Sequence, residues 1–137
     1  MGTIIYKVES SLDPNEFIEV LIQSTLAERR PVDDFARIKE MCENANLIVT
    51  ARDNRKLIGV ARSITDFAYC TYLSDLAVDK SYQKKGIGKR LIEETKKAAP
   101  KAVLILLSAP AAVDYYPKIG MTKHDYCFIL RDLKESF

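Results

Sequence analysis

The chain has 137 residues, a length that suits one globular domain and is too short for two. It is 47% hydrophobic and 29% charged with a net charge of +2 at pH 7, a mix that excludes disorder and argues against nucleic acid as the partner, because phosphate-driven binding needs many clustered cations. Cys42, Cys70 and Cys127 are odd in number and form no CxxC pair, so neither a disulfide framework nor a metal site is indicated and a reducing cytoplasm is expected.

Met1 to Ser10 lacks the basic-then-apolar pattern of a signal peptide. The longest apolar run, Ala102 to Leu107, is far shorter than the roughly 18 residues that a membrane-spanning helix needs. Thr3 to Val8 reads as a first strand. Asp13, Pro14 and Glu16 then form a helix start of the capping-box type, and Phe17, Val20, Leu21 and Ser24 continue at helical spacing to about Ala27. After Pro31, a second helix is predicted from Asp33 or Asp34 to about Asn44, with Phe35, Ile38, Met41 and Cys42 on one stripe.

Leu47 to Ala51 and Leu57 to Thr65 flank a turn at Asp53-Asn54, and Tyr69 to Val78 follows a turn at Asp66, so these three strands form an antiparallel meander. The pattern then changes. Strand Leu73 to Val78, a helix from Gly86 to Ala99 and the apolar strand Ala102 to Leu107 read as a βαβ unit with parallel, buried strands. Ile87, Leu91, Thr95 and Ala98 make the sheet-facing stripe of that helix, and Pro100 ends it. Ser108 to Tyr116 suggests a short fourth helix, and Tyr126 to Arg131 a closing strand. No internal repeat or linker is found.

Between Val78 and Leu91 the chain reads Asp79-Lys80-Ser81-Tyr82-Gln83-Lys84-Lys85-Gly86-Ile87-Gly88-Lys89-Arg90, which places a glycine-bearing loop between a strand and a helix start. Unpaired N–H groups and the helix dipole make that a place for an anion, and Gly86 and Gly88 let the backbone approach it. Lys84, Lys85, Lys89 and Arg90 are read as a basic collar around that site, with solvated lysines at a helix start as the other reading. A P-loop is not met, because no glycine precedes Gly86 at the required distance. The three-glycine dinucleotide fingerprint is also absent.

Gln83-Lys84-Lys85-Gly86-Ile87-Gly88 resembles the signature of the GNAT superfamily of acetyltransferases, and Leu76-Ala77-Val78-Asp79 looks like the end of that family's fourth strand. Ala112-Val113-Asp114-Tyr115-Tyr116-Pro117-Lys118-Ile119-Gly120-Met121 is similar to its second motif. The resemblance is strongest from Leu73 to Met121. It implies a single α/β (α+β) domain over residues 1–137 with the GNAT fold: a twisted mixed sheet, an antiparallel meander followed by a parallel βαβ unit, and helices on both faces. It also implies that the fourth and fifth strands splay to admit the pantetheine arm of acetyl-CoA along Leu76, Ala77 and Val78, with Leu76 and Val78 offering backbone hydrogen bonds. The loop residues Gln83, Lys84, Lys85, Gly86, Ile87, Gly88 and Lys89 would hold the pyrophosphate.

The implied activity is acetyl-CoA-dependent N-acetylation of a primary amine on a small molecule or peptide, by direct attack on the thioester and without a metal. Tyr116 occupies the family's general-acid position, and Tyr115 is read as packing. Pro117 predicts that the helix ends or kinks at Tyr116. Where some relatives carry a catalytic Glu this chain has Tyr72, and where many have an Asn it has Ala109. Strand alternation would put Asp75 opposite Tyr72, Ser74 and Leu76, bound to backbone or facing solvent.

Glu28-Arg29-Arg30 and Asp33-Asp34 are read as solvated helix ends, with recognition of a charged amine as the other reading. His124 is read as a surface residue, and Cys70 and Cys127 as small buried strand residues. A homodimer is compatible with the resemblance. Two alternatives remain: a catalytically silent CoA-binding module, and a small basic nucleic-acid binder using Lys84 to Arg90, whose binding would fall steeply with salt.

Overall fold

The computed structural model describes residues 3–133, which divide into two compact units, one up to Leu107 and one from Ser108 onward. The first unit is a five-stranded sheet in the order β1-β2-β3-β4-β5. Its strands are β1 (Ile4–Glu9), β2 (Leu47–Asp53), β3 (Lys56–Thr65), β4 (Cys70–Val78) and β5 (Val103–Leu106). The first three pairings are antiparallel and β4–β5 is parallel, as expected of a meander followed by a helical crossover.

Helix α1 (Pro14–Ser24) starts at Asp13, whose carboxylate accepts from Asn15 N–H at 2.9 Å. Glu16 does not close a capping box; both of its oxygens are taken by Arg52. The helix stops at Ser24 rather than near Ala27, because Thr25 turns left-handed at φ 73° and a 3₁₀ turn, Leu26–Arg29, follows. Helix α2 (Phe35–Asn44) is capped by Asp34, which accepts from Arg37 N–H at 3.1 Å. Asp34 is therefore an N-cap.

Phe17, Val20, Leu21, Ile38 and Cys42 from these helices pack with Ile48, Val60 and Ala77 of the sheet. Helix α3 (Ile87–Ala98) covers the other face with Ile87, Leu91, Ile92 and Thr95. A Cβ built on Gly59 would lie 3.2 Å from Leu91 Cδ1 and 3.4 Å from Ile87 Cγ2, so the small residue at that point lets α3 lie close to the sheet. Helices thus occupy both faces.

The β2–β3 hairpin turns on Asn54 and Arg55, one residue later than the sequence suggests, with φ 50° and 75°. Two successive positive φ angles are what a two-residue primed turn requires to match strand twist. At the next turn the Asp66 carboxylate accepts from the N–H groups of Ala68, Tyr69 and Cys70.

Four expectations about the later chain are corrected. Strand β5 is not buried on both faces: Val103 and Ile105 are 56% and 52% exposed, because β5 is the last strand of the sheet and the helices leave that end uncovered. The expected helix from Ser108 splits into a 3₁₀ turn, Pro110–Ala112, and a short helix α4 (Tyr115–Lys118). Pro117 does not end α4; it sits inside the first turn, where a missing N–H costs nothing. Tyr126 to Arg131 forms no strand, and Tyr126 and Phe128 are exposed; a β-prone run becomes a strand only where another edge pairs with it.

Candidate functional site

The site begins where β4 loses its neighbour. Pairing with β5 runs only from Cys70↔Val103 to Leu73↔Leu106, while β4 continues to Val78. Asp79 N–H donates to Ile58 O at 2.8 Å, so alternation turns the backbone of Ala77 toward β3 and that of Leu76 and Val78 toward the gap beyond Leu73. The Ala77 side chain belongs to the core under α1 and α2. Within the gap, the Val78 carbonyl accepts from Gln83 Nε2 at 2.9 Å.

Gln83 thereby ties the following loop to the strand end. Gly86 is the N-cap of α3 with φ 81°, in the region that favours glycine. Arg90 N–H is the first to close a helical bond, to Gly86 O at 3.0 Å. The N–H groups of Ile87, Gly88 and Lys89 therefore have no acceptor within the helix, and they carry the positive end of its dipole. Gly88 is not in a special conformation; it lies inside α3, and of these two glycines Gly86 alone uses the freedom of glycine. Lys84 is also left-handed at φ 64°.

The basic collar is smaller than the sequence suggests. Lys84, Lys85 and Lys89 are exposed at the helix start, and Lys85 Nζ lies 5.6 Å from the Tyr82 ring. Arg90 instead turns back over Tyr6, 4.5 Å from its ring centre, and pairs with Glu94 at 3.1 Å. The Tyr6 phenol is held above its ordinary value by burial, against the pull of the Arg90 charge.

The bulge in β4 and the cluster beside it were not legible in the sequence. Arg62 pairs with Asp75 and Ser63 with Leu73, so Ser74 is the extra residue of a β-bulge. The bulge breaks the alternation expected there. Asp75 and Ser74 share one face, both bonded by Arg62, whose Nη2 donates to Ser74 Oγ at 3.1 Å. Asp75 is fully buried and accepts from two guanidinium groups, Arg62 Nε and Arg30 Nε. It is therefore neither solvated nor bound to backbone, and Arg30 is no solvated helix end: its Nη2 also donates to Ser74 O at 2.8 Å.

Tyr116 lies in the C-terminal unit, in α4. Its ring meets Tyr115 edge to face at 5.2 Å, and its carbonyl accepts from Ile119 and Met121 N–H. Burial, and then the neighbouring Tyr115, raise its phenol above the ordinary value of 10.0. Ala109 is the N-cap of the preceding 3₁₀ turn and supplies no polar side chain. His124 is exposed and accepts from Tyr126 N–H at 2.9 Å.

Cys70 and Cys127 are exposed, against the expectation of burial, and Cys42 alone is buried. Burial pushes its thiol up to about 11. Among the described residues no group of three or more His, Cys, Asp and Glu side chains is placed to hold a metal, and no helix is long and apolar enough to cross a membrane.

Residues 20–129 match the family profile described as an acetyltransferase (GNAT) domain. A chloroplastic GCN5-related N-acetyltransferase of Arabidopsis thaliana is 33% identical over 72 residues, 50% of this chain, and the match spans 28% of that protein's length. A GNAT family acetyltransferase structure from Streptococcus pneumoniae superposes with a TM-score of 0.74 at 18% identity, covering 95% of this chain and 100% of the other. An aminoglycoside N-acetyltransferase solved in complex with CoA has a TM-score of 0.73 at 13% identity, with 97% of each chain covered. At such identities the structural likeness is one of fold.

Proposed function

This chain belongs to the acetyltransferase (GNAT) domain family, and we propose that it transfers the acetyl group of acetyl-CoA to a primary amine. The observation that carries the reading is the meeting of the two halves of a CoA cradle in one unit. The outward backbone of Leu76 and Val78 suits an amide-bearing arm laid along the β4 edge, and the helix start at Gly86 to Lys89 suits a pyrophosphate. Gln83 holds the two together through Val78 O.

Direct transfer requires a neutral amine, whereas an alkylamine with a pKa of about 10 is mostly protonated at neutral pH. Asp75 cannot take that proton, being enclosed by Arg30 and Arg62. Water is the base in this reading. The nitrogen lone pair attacks the thioester carbon, the C–N bond forms, the C–S bond breaks, and the departing thiolate takes a proton. Tyr116 is assigned as its donor on motif position, and its raised pKa keeps the phenol protonated through neutral pH. The three free cysteines suit a reducing cytoplasm.

Calorimetry with acetyl-CoA, together with a thiol-release assay over polyamines, aminoglycosides, amino acids and peptides, tests the proposal. Saturable binding and amine-dependent thiol release are expected. Absence of any heat or thermal shift at saturating acetyl-CoA would overturn the cofactor assignment, and binding without turnover on any amine would favour the silent CoA-binding module.

A further inference from the structure

Above the β3–β4 ladder, on the face covered by α2, lies an open cleft of about 590 Å³ lined by Asp34, Arg37, Glu40, Met41, Arg62 and Ile64 among others. Its volume is in the range of small-molecule sites. Arg62 is its one deeply buried charge, with a side chain only 6% exposed. The guanidinium spends Nε on Asp75, one Nη1 proton on Met41 O at 3.0 Å and one Nη2 proton on Ser74 Oγ. Each terminal nitrogen has a second N–H.

The charge around Asp75 does not balance. Arg30 and Arg62 share a single buried carboxylate, which leaves a net positive charge in a poorly solvated place. Such a charge is costly until an anion meets it, and a guanidinium with donors to spare suits a carboxylate. The acids of the cleft do not fill that role: Asp34 caps α2, and Glu40 is an exposed helix residue whose attraction water screens.

Beside Arg62 runs an apolar row. Register pairs Ile64 with Tyr72 and Tyr72 with Ile105, so the three side chains stand on one face across three strands. They are 50%, 37% and 52% exposed. A buried cation with spare donors next to an apolar shelf complements a molecule with an anionic head and an apolar or aromatic body.

We propose that this cleft takes an acceptor bearing a carboxylate beside its amine, an amino acid or a compound like one, with the carboxylate on Arg62 and the apolar part on Ile64, Tyr72 and Ile105. The proposal rests on the acetyltransferase reading for the fate of the amine, but the binding step stands apart from it.

The test uses a matched pair of probes, L-phenylalanine and 2-phenylethylamine, which differ by the carboxylate. Each is titrated calorimetrically into the CoA-loaded protein and assayed for thiol release with acetyl-CoA. L-Phenylalanine is expected to bind tighter by about tenfold or more. Because replacing Arg62 risks unfolding, the informative variant is Ile64→Glu, at a half-exposed position two residues away on the same face, which supplies Arg62 with an anion of its own. It should erase the preference for L-phenylalanine.

Equal affinities, tighter binding of the amine, no binding of L-phenylalanine at millimolar concentration, or a preference that survives Ile64→Glu would each overturn the proposal. Preferential binding without acetylation of either probe would sustain it and count against the acetyltransferase reading, which the wider amine panel then decides. Equal binding with acetylation of both would do the reverse.

Discussion

The Tyr82 hydroxyl donates to Asp53 Oδ2 at 2.5 Å, joining the loop before α3 to the end of β2. The phenol is held above its ordinary value by this carboxylate, through the hydrogen bond first. With Gln83 on Val78 O, it gives the loop two side-chain anchors, one to the hairpin and one to the strand edge. Tyr82→Phe keeps the ring under Lys85 and removes only the bond to Asp53. We expect its acetyl-CoA dissociation constant to rise by about threefold to tenfold with little change in melting temperature. Unchanged affinity in calorimetry would show that the loop is held without this bond.

Tyr116→Phe is expected to lower kcat by about a hundredfold or more while leaving acetyl-CoA affinity unchanged. The wild-type phenol should stay protonated up to and beyond 10.0, so any fall in rate due to its ionisation lies above that pH and is missing from the variant. Equal losses in kcat and cofactor affinity would assign the ring to packing instead.

Thr25 holds φ 73° at the end of α1, a conformation costly for a β-branched residue and easy for glycine. Thr25→Gly should therefore stabilise the protein by about 1 kcal/mol. A lowered denaturation midpoint in urea would mean that the threonine side chain contributes more than its backbone strain removes.

Burial pushes the Glu9 carboxyl up, but hydrogen bonds from Arg52 and Thr50 outweigh it and leave the pKa below its ordinary 4.5. A depressed folded value means that the unfolded chain binds the proton more tightly. The stabilisation is then complete above the unfolded value and is lost as pH falls below 4.5 through the folded one. Glu9→Gln should flatten this acid limb in melting temperatures followed from neutral pH to pH of about 3. An acid limb as steep as that of the wild type would remove Glu9 from the account.

The Cys42 thiol is buried and pushed up to about 11, while Cys70 and Cys127 are exposed. Iodoacetamide at mildly alkaline pH should label Cys70 and Cys127 readily, and Cys42 only with denaturant. Mass spectrometry showing fast labelling of Cys42 in the native protein would contradict its place in the core.

Elements with a local cause are legible in the amino-acid sequence. Asp13-Pro14 starts α1, Asp34 caps α2, Gly86 opens α3, and the stripe Ile87, Leu91, Thr95 faces the sheet because helical spacing brings those residues to one side. The loop from Gln83 to Gly88 is legible for the same reason, since a glycine between a strand and a helix acts through its own backbone.

What escapes the sequence depends on partners far along the chain. Arg30, Arg62 and Asp75 are separated by long stretches, and nothing at any one of them signals the other two. The bulge at Ser74 is a matter of register between β3 and β4, and one added residue is enough to turn Asp75 from an expected solvent position to a buried ion cluster. Strand propensity misleads in the same way at Tyr126 to Arg131, where apolar residues alone do not supply an edge to pair with.

By itself the sequence determined the order of elements as far as β5 and the glycine-capped start of α3, because helix caps, apolar periodicity and glycine conformation act over a few residues. Only the tertiary structure decided where β4 parts from β5, that Gly88 is ordinary helix, and that two arginines surround one aspartate beside an open cleft. Those outcomes come from pairing and burial among distant residues, where the cost of an unbalanced charge or an unpaired strand edge falls on the fold as a whole.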